Sequence, residues 1–121
     1  MKSISFDGVM ERPTFYADGI KRNRDEGKPV KVSDYGTVAL CAAEDIITGV
    51  IETVDNDNAV CVVKTGGYVT LPAASVIPAG ETVELVASGA GGVKVPAADG
   101  TGRKYRVVNY DGTAVTFKLP G

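Results

Sequence analysis

GVIETVDNDNAVCVVKTGGYVTLPAASVIPAGETVEL, residues 49–85, decides the fold. Runs rich in Val, Ile and Thr alternate with short polar or glycine-rich breaks. Branched side chains suit a pleated, half-buried surface. DNDN and TGG supply residues that tolerate left-handed backbone angles where a chain reverses. The stretch reads as strand, polar turn, strand, glycine turn, strand, proline-bounded link and strand. No catalytic motif lies inside it.

Two details of this stretch carry structural expectations. Residues 59–63, AVCVV, are apolar at every position. A strand with one wet face should alternate, so the run predicts a strand covered on both sides. Thr65-Gly66-Gly67 then reads as a hairpin tip. A two-residue turn would pair Val62 with Val69, and a three-residue loop would pair Val63 with Val69. Glycine at the third loop position favours the three-residue, bulged form.

Working outward, residues 30–32 form a short strand, 33–36 a turn, and 37–43 a strand of small residues. Residues 42–46 either continue that strand or make one helical turn. Downstream, residues 82–87 resume β structure, SGAGG at 88–92 reads as an exposed flexible tip, and 93–95 form a short edge strand ended by Pro96. Near the C-terminus, residues 105–110 and 113–119 flank Asp111-Gly112, a pair suited to a type I′ hairpin turn. That turn would pair Val108 with Val115 and Arg106 with Phe117, placing an arginine on an apolar face. Either the arginine stem lies over Phe117 at a wet end of the hairpin, or a bulge shifts the register.

The expected fold is all-β: a small barrel or sandwich of about eight to nine short, mostly antiparallel strands. Residues 1–26 lack its pattern and read as an N-terminal arm, with residues 27–121 as the β domain. Gly8, Pro13 and Gly19 interrupt any long helix in that arm. It holds Phe6, Phe15 and Tyr16 and the charged run KRNRDE at 21–26. The arm is either a solvated terminus or a docking segment. In the second case Phe6, Phe15, Tyr16, Arg22 and Arg24 are the contact residues.

Composition narrows the chemistry. The chain has 121 residues, 44% of them hydrophobic, which fits one globular domain. A net charge of −2 lacks the basic excess of a nucleic-acid binder. Histidine is absent, which removes the commonest general base and metal ligand. Read as a calcium loop from Asp55, the chain has Val60 where glycine and Gly66 where glutamate are needed. Gly100-Thr101-Gly102-Arg103-Lys104 lacks the phosphate-loop spacing and enters a strand rather than a helix. Lys64, near a predicted hairpin tip, lacks the flanking residues of a lipoyl or biotin carrier. No enzyme activity, cofactor or metal is expected. Cys41 and Cys61, each in an apolar run, read as free buried thiols in a reducing cytoplasm. The first residues carry charges where a signal peptide needs an apolar core. No apolar run approaches the ~20 residues that cross a bilayer.

The succession GKPV (27–30), GTVA (36–39), IITGV (46–50), the valine run 59–63, Gly66-Gly67 through Leu71-Pro72 and IPAG (77–80) resembles the capsid cement, or head decoration, proteins of tailed bacteriophages. The resemblance covers residues 27–86 and rests on positions that define a fold. It implies a protein made in the host bacterial cytoplasm that binds the major capsid protein on the outside of an assembled head. Such proteins often act as homotrimers and stabilise the virion against internal DNA pressure. Two rival readings remain: another virion part, such as a fibre or tail module, and a β-barrel module binding a small ligand or carbohydrate. Exposed tyrosines gathered in one cleft would favour the ligand module.

Overall fold

The computed structural model describes residues 13–78, 82–97, 100 and 102–120. Among these residues the chain forms β1 (Thr14–Asp18), β2 (Pro29–Asp34), β3 (Thr37–Leu40), β4 (Gly49–Val54) and β5 (Val60–Lys64). There follow β6 (Gly66–Pro72), β7 (Thr82–Ala87), β8 (Val93–Lys94), β9 (Arg103–Tyr110) and β10 (Ala114–Pro120). No helix occurs among the described residues. The first five strands close a barrel in the order β1-β3-β2-β4-β5, and the rest form a sheet in the order β6-β10-β9-β7-β8. The all-β expectation holds, with barrel and sheet side by side rather than one or the other. Among the described residues the strands pair antiparallel except β1 with β3, and one isolated parallel bridge joins Ala73 to Val93.

The expected boundary at residue 26 needs correction, and it accounts for one of the extra strands. β1 lies within the supposed arm, yet it closes the barrel by pairing Phe15 with Cys61 and Tyr16 with Val60. Its other edge pairs Tyr16 with Thr37. Phe15 and Ile20 are buried in the barrel core. A strand of five residues with one inward aromatic is too short to show a period in the sequence.

The predicted hairpin between β5 and β6 is also corrected. Only Thr65 separates them, and β6 pairs along its whole length with β10, from Gly66 opposite Pro120 to Pro72 opposite Ala114. The glycines bend the chain out of the barrel and into the second sheet instead of reversing it. Lys64 Nζ donates to the Tyr68 carbonyl at 2.7 Å across that bend. The strand expected to be covered on both faces is covered fully on one. Cys61 and Val63 are buried, whereas Val60 and Val62 are half-buried on the barrel's outer surface.

At the C-terminal hairpin, the bulge is the outcome. The register shifts between Thr116 and Phe117, so that Phe117 faces Val107 and Lys118 faces Arg106. Val115, Phe117 and Leu119 stay buried while Arg106 points to solvent. The turn differs from the expected type I′. Asp111 N–H donates to the Ala114 carbonyl at 3.2 Å, leaving Gly112 and Thr113 at the tip. Only Gly112 has positive φ, at 96°. The Thr113 and Ala114 N–H groups donate to Asp111 Oδ1 at 2.9 and 2.8 Å, so the aspartate side chain closes the turn.

Residues 41–48 join the two halves. β3 stops at Leu40, and a turn follows in which Asp45 N–H donates to the Ala42 carbonyl at 3.2 Å. Glu44 N–H donates to the Ala87 carbonyl, and Ala87 N–H donates to the Asp45 carbonyl, both at 3.0 Å. Side chains extend the same seam. Asp45 pairs with Lys31 of β2 at 2.8 Å, and Glu44 pairs with Lys94 of β8. Ile47 and Val50 pack into the core of the second sheet with Leu71, Leu85 and Phe117. Tyr105 lies edge-on to Phe117 with ring centroids 5.0 Å apart, and its hydroxyl donates to the Ile47 carbonyl at 3.2 Å.

The SGAGG segment is tied down rather than a loose tip. Ser88 N–H donates to the Gly92 carbonyl at 2.9 Å, and Ser88 Oγ accepts the N–H groups of Ala90 and Gly92. Gly92 lies directly against the Pro72 carbonyl, leaving no room for a side chain. β8 is the short strand expected at the sheet's end, pairing with β7. Its Val93 also bridges to Ala73, and the Val93 carbonyl accepts the Ala74 N–H at 2.8 Å.

Cys61 sits in the barrel core and Cys41 at the seam, both as free thiols. Burial pushes Cys41 up to about 12, with the Asp45 carboxylate adding to the shift. Burial likewise pushes Cys61 up to about 11. The thiolate is the reacting species. A thiol reagent at neutral pH is therefore expected to label the folded protein slowly, and to find two sulfhydryls per chain after denaturation without reductant. A count of zero would show that the thiols are bridged.

Candidate functional site

The charged run at 21–26 folds around one carboxylate. Asp25 is fully buried. It accepts hydrogen bonds from Lys21 N–H at 2.8 Å, Arg24 Nε at 2.9 Å, Arg24 Nη2 at 2.7 Å and Lys28 Nζ at 2.9 Å. Arg24 also donates to the Gly19 carbonyl at 3.0 Å. The hydrogen bond from Arg24 is the chief reason that Asp25 is held far below the usual carboxylate range. This cluster secures the 19–28 loop to the barrel, where Gly27 N–H donates to the Ile51 carbonyl at 2.8 Å.

The residues singled out as an arm contact are thus scattered in role. Phe6 lies outside the described residues. Phe15 is in the barrel core and Tyr16 is half-buried on β1. Arg24 is half-exposed and engaged with Asp25. Arg22 is exposed, and its N–H donates to Asn58 Oδ1 at 2.7 Å, tying the loop to the DNDN turn. That turn is a β4–β5 connection in which Asp55 Oδ1 accepts the N–H groups of Ala59 and Val60. Among the described residues, no three acidic or cysteine side chains converge as a metal site would require.

A cleft of ~180 Å³ opens at the seam, lined by Lys28, Pro29, Leu40, Cys41 and residues 89–91. It contains no aromatic side chain. The exposed tyrosines lie elsewhere, on two separate surfaces.

The first surface is the β2–β3 tip. Asp34 Oδ1 accepts the Tyr35 N–H at 2.8 Å and shapes the turn. Gly36 adopts a φ of 66°, and its carbonyl accepts the Tyr16 N–H at 2.8 Å. Tyr35 is 99% exposed and the neighbouring Val32 is 49% exposed. A turn needs neither a phenol ring nor a valine pointing to water.

The second surface is the outer face of the sheet. Residues opposite one another on antiparallel strands share a face. Tyr68 lies opposite Lys118, Lys118 opposite Arg106, and Arg106 opposite Thr82, so one row crosses β6, β10, β9 and β7. Lys104 follows two positions from Arg106 on the same face and lies opposite Glu84, whose Oε1 accepts the Gly102 N–H. Thr70 and Thr116 share a hydroxyl hydrogen bond of 2.7 Å beside the row. Val108, turned outward at the bulge, is 52% exposed.

Neither surface was identified from sequence. Tyr35 is recognisable afterwards as an aromatic where turn chemistry asks only for Asp and Gly. The sheet face draws on three distant segments and needs the cross-strand register. Compared with protein-family models, with curated proteins and with solved structures, the chain matches none.

Proposed function

We propose that this chain is a decoration protein that binds the outer surface of a tailed-phage head, through the major capsid protein, and stabilises the shell. The resemblance of residues 27–86 suggests the reading. One structural observation carries it: exposed apolar side chains lie on more than one surface, with Val32 and Tyr35 on the barrel, Tyr68 and Val108 on the sheet, and Ile46 and Val76 outside both groups. A subunit that meets neighbours on more than one side needs such a distribution. Many copies on a lattice gain avidity, so each contact can be small. A carbohydrate or small-ligand module would gather its aromatics in one cleft, and the seam cleft is lined by none.

The test is co-sedimentation of the purified chain with expanded and unexpanded heads of the phage that encodes it. Retention on expanded heads, with raised resistance of those heads to heat or chelator, is the expected result. Absence from both kinds of head discards the reading.

A further inference from the structure

We infer that copies of this chain associate head to tail, the β2–β3 tip of one docking on the outer sheet face of the next. The contact goes beyond the reading above, because it concerns how copies meet one another and needs no head. Two independent features point to it. Among the described residues, four of the six large apolar side chains left exposed fall on these two surfaces, Val32 and Tyr35 on one and Tyr68 and Val108 on the other, with Ile46 and Val76 elsewhere. The surfaces also differ in charge sign. The tip carries Asp34, whose Oδ1 takes the Tyr35 N–H and whose Oδ2 is the oxygen an incoming cation would meet. Lys31, the cation nearest to it on β2, is committed to Asp45.

The sheet face carries Lys118 opposite both Tyr68 and Arg106, with Lys104 two positions along β9. Glu84, opposite Lys104, gives one oxygen to the Gly102 N–H, and the face keeps an excess of cations. Lys118 faces Arg106 directly across β10 and β9. Like charges in that relation weaken a sheet, so folding gains nothing from a cation at position 118. The wider distribution agrees with the local one. Residues 13–65 hold nine acidic and six basic side chains, whereas residues 66–121 hold four acidic and five basic.

Charge also fixes the symmetry. Either surface meeting its own copy about a two-fold axis would set Asp34 near Asp34 or Lys118 near Lys118, and both arrangements repel. A reciprocal two-fold tip-to-face contact would need both surfaces on one side of the chain, whereas one lies on the barrel and the other on the sheet. The complementary contact is tip to face, which is heterologous and closes into a ring or continues as an open chain. In it the Tyr35 ring lies among Tyr68, Val108 and the lysine stems, with Asp34 against the cationic row.

Sedimentation velocity and light scattering of the full chain test the inference at about 0.05 M and about 0.5 M salt, on either side of the screening regime. The expected result is concentration-dependent association that weakens roughly tenfold or more in the higher salt. Tyr35→Ala should abolish it. Asp34→Lys alone and Lys104→Glu with Lys118→Glu alone should each be monomeric. Mixing those last two should restore association in equal proportions, since the altered tip of the first fits the altered face of the second and the unaltered tip of the second fits the unaltered face of the first. That recovery separates a lost contact from a lost fold. A parent chain that stays monomeric at low salt, a Tyr35→Ala chain that associates like the parent, or a mixture that remains monomeric overturns the inference. Head binding by a monomeric parent would leave the proposed function standing while removing this contact.

Discussion

Asp25→Ala is expected to lower the unfolding free energy by about 3 kcal/mol, the lower end of the range for breaking a buried ion pair. The midpoint of thermal unfolding should fall by about 10 °C in a domain of this size. The carboxylate is fully buried and satisfies a backbone N–H and two cationic side chains. Its removal leaves Arg24 and Lys28 without their partner, but they are 50% and 38% exposed and regain water. That recovery keeps the cost from being larger. The loop it holds carries Ile20, 1% exposed, into the barrel core. The effect should therefore reach beyond the loop itself.

The pH dependence follows from the direction of the Asp25 shift. Arg24 holds its folded-state value far below the ordinary carboxylate value of about 3.9. A depressed acid contributes stability that is fully present above the unfolded value and is lost as pH falls toward the folded one. The gap between parent and Asp25→Ala, measured by urea unfolding, should be constant from about pH 7 to 5 and shrink below about pH 4. Asp25→Asn, which keeps the shape but not the charge, should fall between them. A gap that stays constant down to about pH 2 would place the loss in packing rather than in the ionised carboxylate.

What the sequence reveals of this fold depends on how far apart the pairing residues lie. The strands β4, β5, β6 and β7 coincide with the apolar runs of residues 49–85, because local alternation and turn chemistry mark where a strand begins and ends. Arg106 on the apolar side of a regular hairpin was a local contradiction, and the bulge at Thr116/Phe117 resolves it. The partner of β6 was not legible. Gly66-Gly67 permits a reversal or a bend, and the choice depends on β10, which begins more than forty residues later. β1 was missed for a different reason. Thr14–Asp18 is short, and its one buried aromatic resembles any aromatic in a tether. The same blindness hid the structural roles of Phe15 and Arg24, two of the candidate contacts. Phe15 serves the core and Arg24 serves Asp25, whereas Tyr35 reads as turn filler until its full exposure is seen. The row of Tyr68, Lys118 and Arg106 exists only once register is known.

Gly49→Ala should match or exceed the loss from Asp25→Ala, although it adds a single methyl group. Gly49 opens β4 and is buried between neighbours, lying opposite Val30 while Val50 lies opposite Lys64. A Cβ there would fall on the Lys64 carbonyl and within 2.6 Å of Val63 Cγ1. Val63 is fully buried in the barrel core and has nowhere to retreat. The Lys64 carbonyl belongs to the backbone one residue before the chain turns from the barrel into the second sheet at Thr65. Relief therefore requires the β4–β5 ladder to part at the junction of the two halves. Overpacking of this kind costs about 3 kcal/mol, and it should lower the melting midpoint by about 10 °C. Gly112→Ala provides the contrast. A Cβ at Gly112 meets nothing within 4 Å, so its cost comes from the positive φ alone, about 1 kcal/mol. Thermal melts of the two variants beside the parent separate steric from conformational strain. If Gly49→Ala melts with the parent while Gly112→Ala drops, the close approach of β4 to Lys64 is not what fixes the barrel against the sheet.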